Sequence, residues 1–279
     1  MSGGAYFAEV LPAAGGRISR LSWAGGGSKI ELLVPITVDR YEAHDWPKGG
    51  AFPMVPFANR LPAGTVQSGN YGSRPATGPE GVALHGIAHR RVWRVVALAK
   101  NSIEMEYVHS DTQEWRWPWR AKLCLELGDA GATMRMEATN LSSLPAPLAL
   151  GWHPYFCVPA DFRSADLRFN ASQRQELDAC GTAMLERPLP PIFDMSRRST
   201  QFFSGWKGEA EFRVATGHVL SVSCEGTQQM VIHRPATGDY LCLEPVTEAP
   251  GWMGNPQYIA RRLAAAGETR SFTVTCRLK

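Results

Sequence analysis

Long apolar runs are missing from this chain. No stretch approaches the roughly 18 consecutive apolar residues that a membrane-spanning helix needs, so no membrane partner is expected. The opening Met1-Ser-Gly-Gly-Ala-Tyr-Phe7 lacks the basic n-region and apolar h-region of a secretory peptide. The six cysteines include no Cys-x-x-Cys pair, which leaves zinc-ribbon and dithiol redox patterns without support. Cys224 and Cys276 instead fall at apolar alternation positions, as reduced, buried cysteines do, and a cytoplasmic protein is the expectation. Charge of one sign is scarce as well. The net charge is +3, and beyond short pairs such as Arg90-Arg91 and Arg261-Arg262 there is no basic block of the kind nucleic acid requires. Helical periodicity is sparse, its best stretch being the short run Gln257 to Ala266.

What the chain has in abundance is alternation. Ile103, Met105 and Tyr107 alternate with Glu104 and Glu106, Met134 and Met136 with Thr133, Arg135 and Glu137, and Phe272, Val274, Cys276 and Leu278 with Thr273, Thr275 and Arg277. Each pattern predicts a strand with one buried face. Further strands are predicted over 17–23, 29–34, 92–99, 121–127, 147–152, 166–170, 211–215, 218–224, 229–233 and 239–245. The 27 glycines and 20 prolines lie between them as breakers. No repeat or linker divides residues 1–279, so one large all-β domain of mostly antiparallel strands is expected, a sandwich in preference to a barrel.

Four segments place polar residues among apolar ones. Phe52 to Gly64 is rich in proline and predicts a structured loop presenting Asn59 and Arg60, whose guanidinium fork suits oxygen ligands or a structural carboxylate. In Leu84-His-Gly-Ile-Ala-His89 the spacing of His85 and His89 would suit zinc on a helix, but Gly86 and the β-branched run beyond argue against a helix, and no metal is expected. Leu148 to Phe156 carries His153 beside Trp152, Tyr155 and Phe156. An imidazole among aromatics suits proton exchange on a sugar, and equally a core histidine bonded to a carbonyl. In Met230 to Thr247, a predicted hairpin, Tyr240, Cys242 and Glu244 share one face and Leu241 and Leu243 the other. A carboxylate there is costly unless paired or functional, and burial would raise its pKa toward that of a general base.

In this order, Pro56-Phe-Ala-Asn-Arg60, Leu84-His-Gly86, Gly151-Trp-His-Pro-Tyr-Phe156, Cys242-Leu-Glu-Pro-Val-Thr247 and Gly267-Glu268 resemble the aldose 1-epimerase (galactose mutarotase) family, from about residue 50 to the end. The resemblance implies a β-supersandwich and a cofactor-free enzyme that interconverts α and β anomers of an aldose. It implies Glu244 as the base at the C1 hydroxyl and His153 as the acid at the ring oxygen, on opposite sides of that unit. Arg60 and His85 would bind sugar oxygens, Asn59 would position its loop, and Trp152 would shape the pocket. Where the family supplies a hydroxyl-holding aspartate, Thr200-Gln201 stand here, with Asp194 a few residues earlier as the other candidate. The sugar is therefore not identified.

Two other readings use the same fold: a hexose-6-phosphate mutarotase relative, with Arg90, Arg91 and Arg94 on the phosphate, and a non-catalytic carbohydrate-binding protein. A glycoside hydrolase usually needs two catalytic carboxylates, and only one stands in a convincing setting. The expected partner is a small sugar, and the chain is compatible with a monomer or a homodimer.

Overall fold

The strand Trp119–Gly128 shows why this sequence builds sheets. Leu123, Leu125 and Leu127 are buried while Lys122, Cys124 and Glu126 face outward, so pairing on both sides buries one continuous apolar face. The computed structural model describes residues 1–37, 46–61, 66–68, 71–78, 81–177, 183–188, 199–214, 217–254 and 256–279. Among these, two large antiparallel sheets pack face to face. One runs in the order Arg94–Leu98, Ser102–His109, Trp119–Gly128, Gly131–Asn140, Thr269–Leu278, Val219–Glu225, Glu209–Arg213, Leu167–Phe169. The other has at its centre Arg17–Gly25, Ala51–Met54, Gly151–Pro154, Tyr240–Val246, Gln229–Arg234, Ser199–Ser204 and Gln173–Leu177, in that spatial order. The expected all-β supersandwich is what forms. No described helix is long and apolar enough to cross a membrane.

Between the sheets lies the main core, which takes Ile18, Trp152, Phe156, Phe203, Met230, Ile232, Leu241 and Leu243 from the second sheet. A second apolar cluster covers that sheet's other face: Trp46, Phe52, Met54, Ala58, Tyr155, Phe202, Val231, Cys242 and Val246. Successive residues of each strand go to opposite clusters, so the strand Tyr240–Val246 is buried on both sides. That two-sided burial explains its nearly continuous apolar sequence.

Three expectations change. Ala51–Met54 is a strand and not part of a loop, paired on one side to Gly151–Pro154. Pro53 removes only one donor, and pairing on the other side is confined to Ile18 with Ala51. The strand expected at 147–152 is shifted to Gly151–Pro154. The helical stretch is a single turn, Pro256–Ile259.

Candidate active site

The second sheet arranges the site as a lattice. Gly151 pairs with Val246 and Phe156 with Leu241, a constant register that sets His153 opposite Glu244. On the flanks His153 pairs with Phe52, Glu244 with Val231, and Val231 with Phe202. One row across the outer face therefore reads Phe52, His153, Glu244, Val231, Phe202. The next, two residues along each strand, reads Tyr155, Cys242, His233, Thr200. In the row on the opposite side stand Met54, Gly151 and Val246.

His153 and Glu244 are the polar pair in the central row. His153 Nε2 lies 3.4 Å from Glu244 Oε1, with side chains 7% and 2% exposed. The imidazole packs against both Phe52 and Tyr155, each with its centroid 4.7 Å away and its ring plane within 23° of parallel. Burial pushes the Glu244 carboxyl up to about 8. Burial also holds His153 well below its usual 6.5, and the cationic or protonatable neighbours His85, His233, Arg17 and Lys48 add to that depression. Near neutral pH the pair thus retains one proton. Glu244 Oε2 and His153 Nδ1 are buried without a hydrogen-bond partner among the described residues. Antiparallel register makes the two side chains cross-strand neighbours.

His85 reaches this pair from a different segment. Its backbone takes a left-handed φ of 59°, as does Asn59 at 57°, and Gly86 follows at 74°. His85 N donates to Asn59 O at 3.0 Å, while Ile87 N and Ala88 N both donate to Val55 O. Arg60 pairs with Leu84, and Arg60 N donates to Asn59 Oδ1 at 2.9 Å. The Asn59-Arg60 and His85-Gly86 motifs are therefore one backbone unit, joined through Asn59. The His85 ring meets His153 edge-on at 4.8 Å, with Nδ1 2.9 Å from Met54 Sδ. His85, His153 and Glu244 are also the described residues whose donor atoms, within 4.8 Å of one another, come near enough to share an ion. His89 lies on a 3-10 turn, Ala88–Arg90, and stacks on Phe52 behind this group.

Two proposed ligand residues are not brought to the group. Trp152 alternates with His153, so its indole enters the inter-sheet core, where it meets Phe156 edge-on. Gln201 stands opposite Ile232, a residue of that same core, so it belongs to the inner side of the sheet. The site side at that place is held by Thr200, whose Oγ1 lies 2.8 Å from His233 Nδ1. Asp194 lies outside the described residues.

Sequence reasoning missed Trp46 and His233. Trp46 Nε1 donates to Tyr155 Oη at 2.8 Å, and the indole meets His85, His89 and Phe52 edge-on. It bridges the two histidine segments, yet it follows an uninformative stretch. His233 was detectable by the alternation that identified Glu244, since Val231 and His233 face the same way.

Comparison with known proteins gives the family and the fold. The family described as Aldose 1-epimerase matches residues 2–254. Uncharacterized protein YphB of Escherichia coli K12 is 23% identical over 246 residues, covering 82% of this chain and 83% of that protein. A structure provisionally designated an aldose 1-epimerase, also from Escherichia coli K12, superimposes with a TM-score of 0.83 at 22% identity, covering 100% of this chain and 97% of that one. A galactose mutarotase-like protein from Lactobacillus casei gives a TM-score of 0.81 at 14% identity, covering 100% and 99%. Such distant structures establish the shared fold, and the family match extends over most of the chain: this protein belongs to the aldose 1-epimerase family.

Proposed function

We propose that the protein is a mutarotase acting on a free aldose, with Glu244 and His153 as its acid–base pair. The observation that carries this reading is the 3.4 Å approach of His153 Nε2 to Glu244 Oε1 on a buried face. The hydroxyl oxygen and ring oxygen of a hemiacetal share one carbon, so two adjacent side chains can each address one oxygen. Glu244, as carboxylate, takes the O1 proton. His153, protonated, gives its proton to the ring oxygen as the C1–O bond breaks, and the open-chain aldehyde forms. Rotation about C1–C2 presents the other face. His153 then recovers the proton from the chain hydroxyl, Glu244 returns its own to the carbonyl oxygen, and the opposite anomer closes.

The pair's single proton suits this cycle. With Glu244 raised and His153 lowered, the pair favours the neutral carboxyl and neutral imidazole. One proton moved between them gives the carboxylate and imidazolium that ring opening needs. His85, edge-on to His153, and Arg60, whose backbone pairs with Leu84 next to it, would hold sugar oxygens and balance charge at the ring oxygen. A purely carbohydrate-binding protein would gain nothing from burying this pair, whose desolvation is costly.

The free sugar is favoured over its 6-phosphate because the arginines considered for phosphate are engaged elsewhere. Arg90 and Arg91 both pair with Glu114, and Arg94 pairs with Glu106 at 2.8 Å. The five described cysteines are free thiols, which supports a reducing, cytoplasmic setting. Polarimetry or NMR of anomer equilibration over hexoses, pentoses and their 6-phosphates provides the test. Acceleration of at least one free aldose is expected, and buffer-rate equilibration of the whole panel would overturn the proposal.

A further inference from the structure

The two rings that hold the His153 imidazole, Phe52 and Tyr155, both lead back to one residue at the start of the strand Arg17–Gly25. Ile18 pairs with Ala51 and belongs to the inter-sheet core, so Arg17 stands on the outer face opposite Phe52. The catalytic row therefore begins one strand earlier and reads Arg17, Phe52, His153, Glu244. Arg17 is two strands from His153, about 10 Å away, and is fully buried. Its guanidinium carbon lies over the Phe52 ring, 4.5 Å from the centroid, and Phe52 stacks on His153. The second route runs through the 46–50 segment. Arg17 Nη1 donates to Gly49 O at 3.0 Å and lies 3.4 Å from Pro47 O. The 34–36 stretch backs the same segment: Gly50 N donates to Val34 O at 2.7 Å, and a Cβ on Gly49 would lie 2.4 Å from Ile36 Cγ2. Pinned in this way, the segment delivers Trp46, whose Nε1 donates to Tyr155 Oη at 2.8 Å, and Tyr155 stacks on His153. The same indole meets His85 edge-on at 5.4 Å.

We propose that Arg17 is a positioning residue for the acid–base pair, setting the place of the His153 imidazole relative to Glu244 through Phe52 and through the 46–50 segment. The inference deepens the mutarotase reading and rests on it for the pair's role in turnover. Burying a guanidinium is costly unless its contacts offset the lost hydration. Arginine suits this place because one planar group can donate within its plane to backbone carbonyls and lie flat over a ring. Lysine would keep the charge and a donor but has no plane to lay on Phe52. Methionine would fill a similar space and make neither contact. The pair itself has little tolerance for movement: a misplacement of about 1 Å in a reacting group can cost roughly 100-fold in rate. Arg17, buried beside Phe52 and not facing the site, would thus act on turnover and leave sugar binding as it is.

The experiment compares the parent with Arg17→Met and Arg17→Lys, each checked for folding by a thermal melt. Polarimetry gives kcat and KM for an aldose that the parent turns over. Proton NMR follows exchange of the Trp46 indole N–H. Its internal reference is the indole of Trp206, which lies beyond the strand Ser199–Ser204 and donates to Glu209 O at 2.9 Å. For Arg17→Met the expected result is a roughly ten- to hundredfold loss in kcat with KM within about twofold of the parent. Exchange at Trp46 should speed up while that at Trp206 holds, and Arg17→Lys should recover part of both effects. An unchanged kcat, a loss confined to KM, equal acceleration at both indoles, or a lysine variant no better than methionine would each overturn the inference. Should Arg17→Met not fold, Arg17→Lys is held to the same criteria against the parent. A parent that leaves every sugar at the buffer rate overturns the mutarotase reading instead, and the indole exchange still decides whether Arg17 pins the 46–50 segment.

Discussion

Glu244 carries a high electrostatic cost in this site. A carboxyl that ionises at about 8 in the fold and near 4.5 when unfolded binds its proton more tightly in the folded state. Folding stability from this group therefore falls as pH rises from about 5 to about 8. His153 acts in the opposite sense. Held below 6.5 by burial, it binds its proton more weakly in the fold, so stability is lost as pH drops below about 6.5. Glu244→Gln removes the first term. The variant is expected to be more stable than the parent above pH 8, by up to about 5 kcal/mol at the limit set by that pKa change, with the fall in stability between pH 5 and 8 flattened. Denaturant titrations at several pH values measure this. The same variant should lose roughly 10²–10⁴-fold in kcat, the range for one positioned proton carrier.

At the scale of elements, the turn that presents His85 is held tightly by backbone geometry. A Cβ on Gly86 would lie 2.2 Å from Val55 O, at a φ of 74° that L-residues rarely adopt. Gly86→Ala combines about 1–2 kcal/mol of left-handed strain with that collision. A loss of roughly 4–8 °C in Tm is expected, together with a raised KM as His85 shifts against His153, measurable by calorimetry and by polarimetric kinetics. Alternation places Trp152 similarly. Because its indole fills the inter-sheet core, Trp152→Phe should cost about 1–3 kcal/mol of stability with KM unchanged; a selective rise in KM would put the indole back in the sugar site.

The sequence made the strands of the inter-sheet core readable wherever one face is wet. Ser102–His109, Trp119–Gly128, Gly131–Asn140 and Thr269–Leu278 all alternate cleanly and were all expected. It was least legible where a strand is buried on both faces or carries proline. Ala51–Met54 is buried throughout and contains Pro53, so neither period nor composition announced it.

For the whole molecule, the two titrating groups define one pH profile. The pair must hold one proton, so kcat/KM is expected to stay level between a lower limit below 6.5, set by His153, and an upper limit near 8, set by Glu244, and to fall outside them. A rate still climbing above pH 9 would mean that the pair does not share its proton in this way.

The family signature, the all-β class and the nomination of His153 and Glu244 are local properties, written in residue order and in the alternation of single strands. The sequence alone determined them. That these two residues, 91 positions apart, stand 3.4 Å from each other follows from the pairing of Gly151 with Val246, and register between distant strands is set by packing of the whole sheet. The same register turns Trp152 and Gln201 inward and brings Thr200 to His233. A shift of one residue reverses the face of every side chain on a strand, so which polar residue meets the sugar was a decision only the tertiary structure could make.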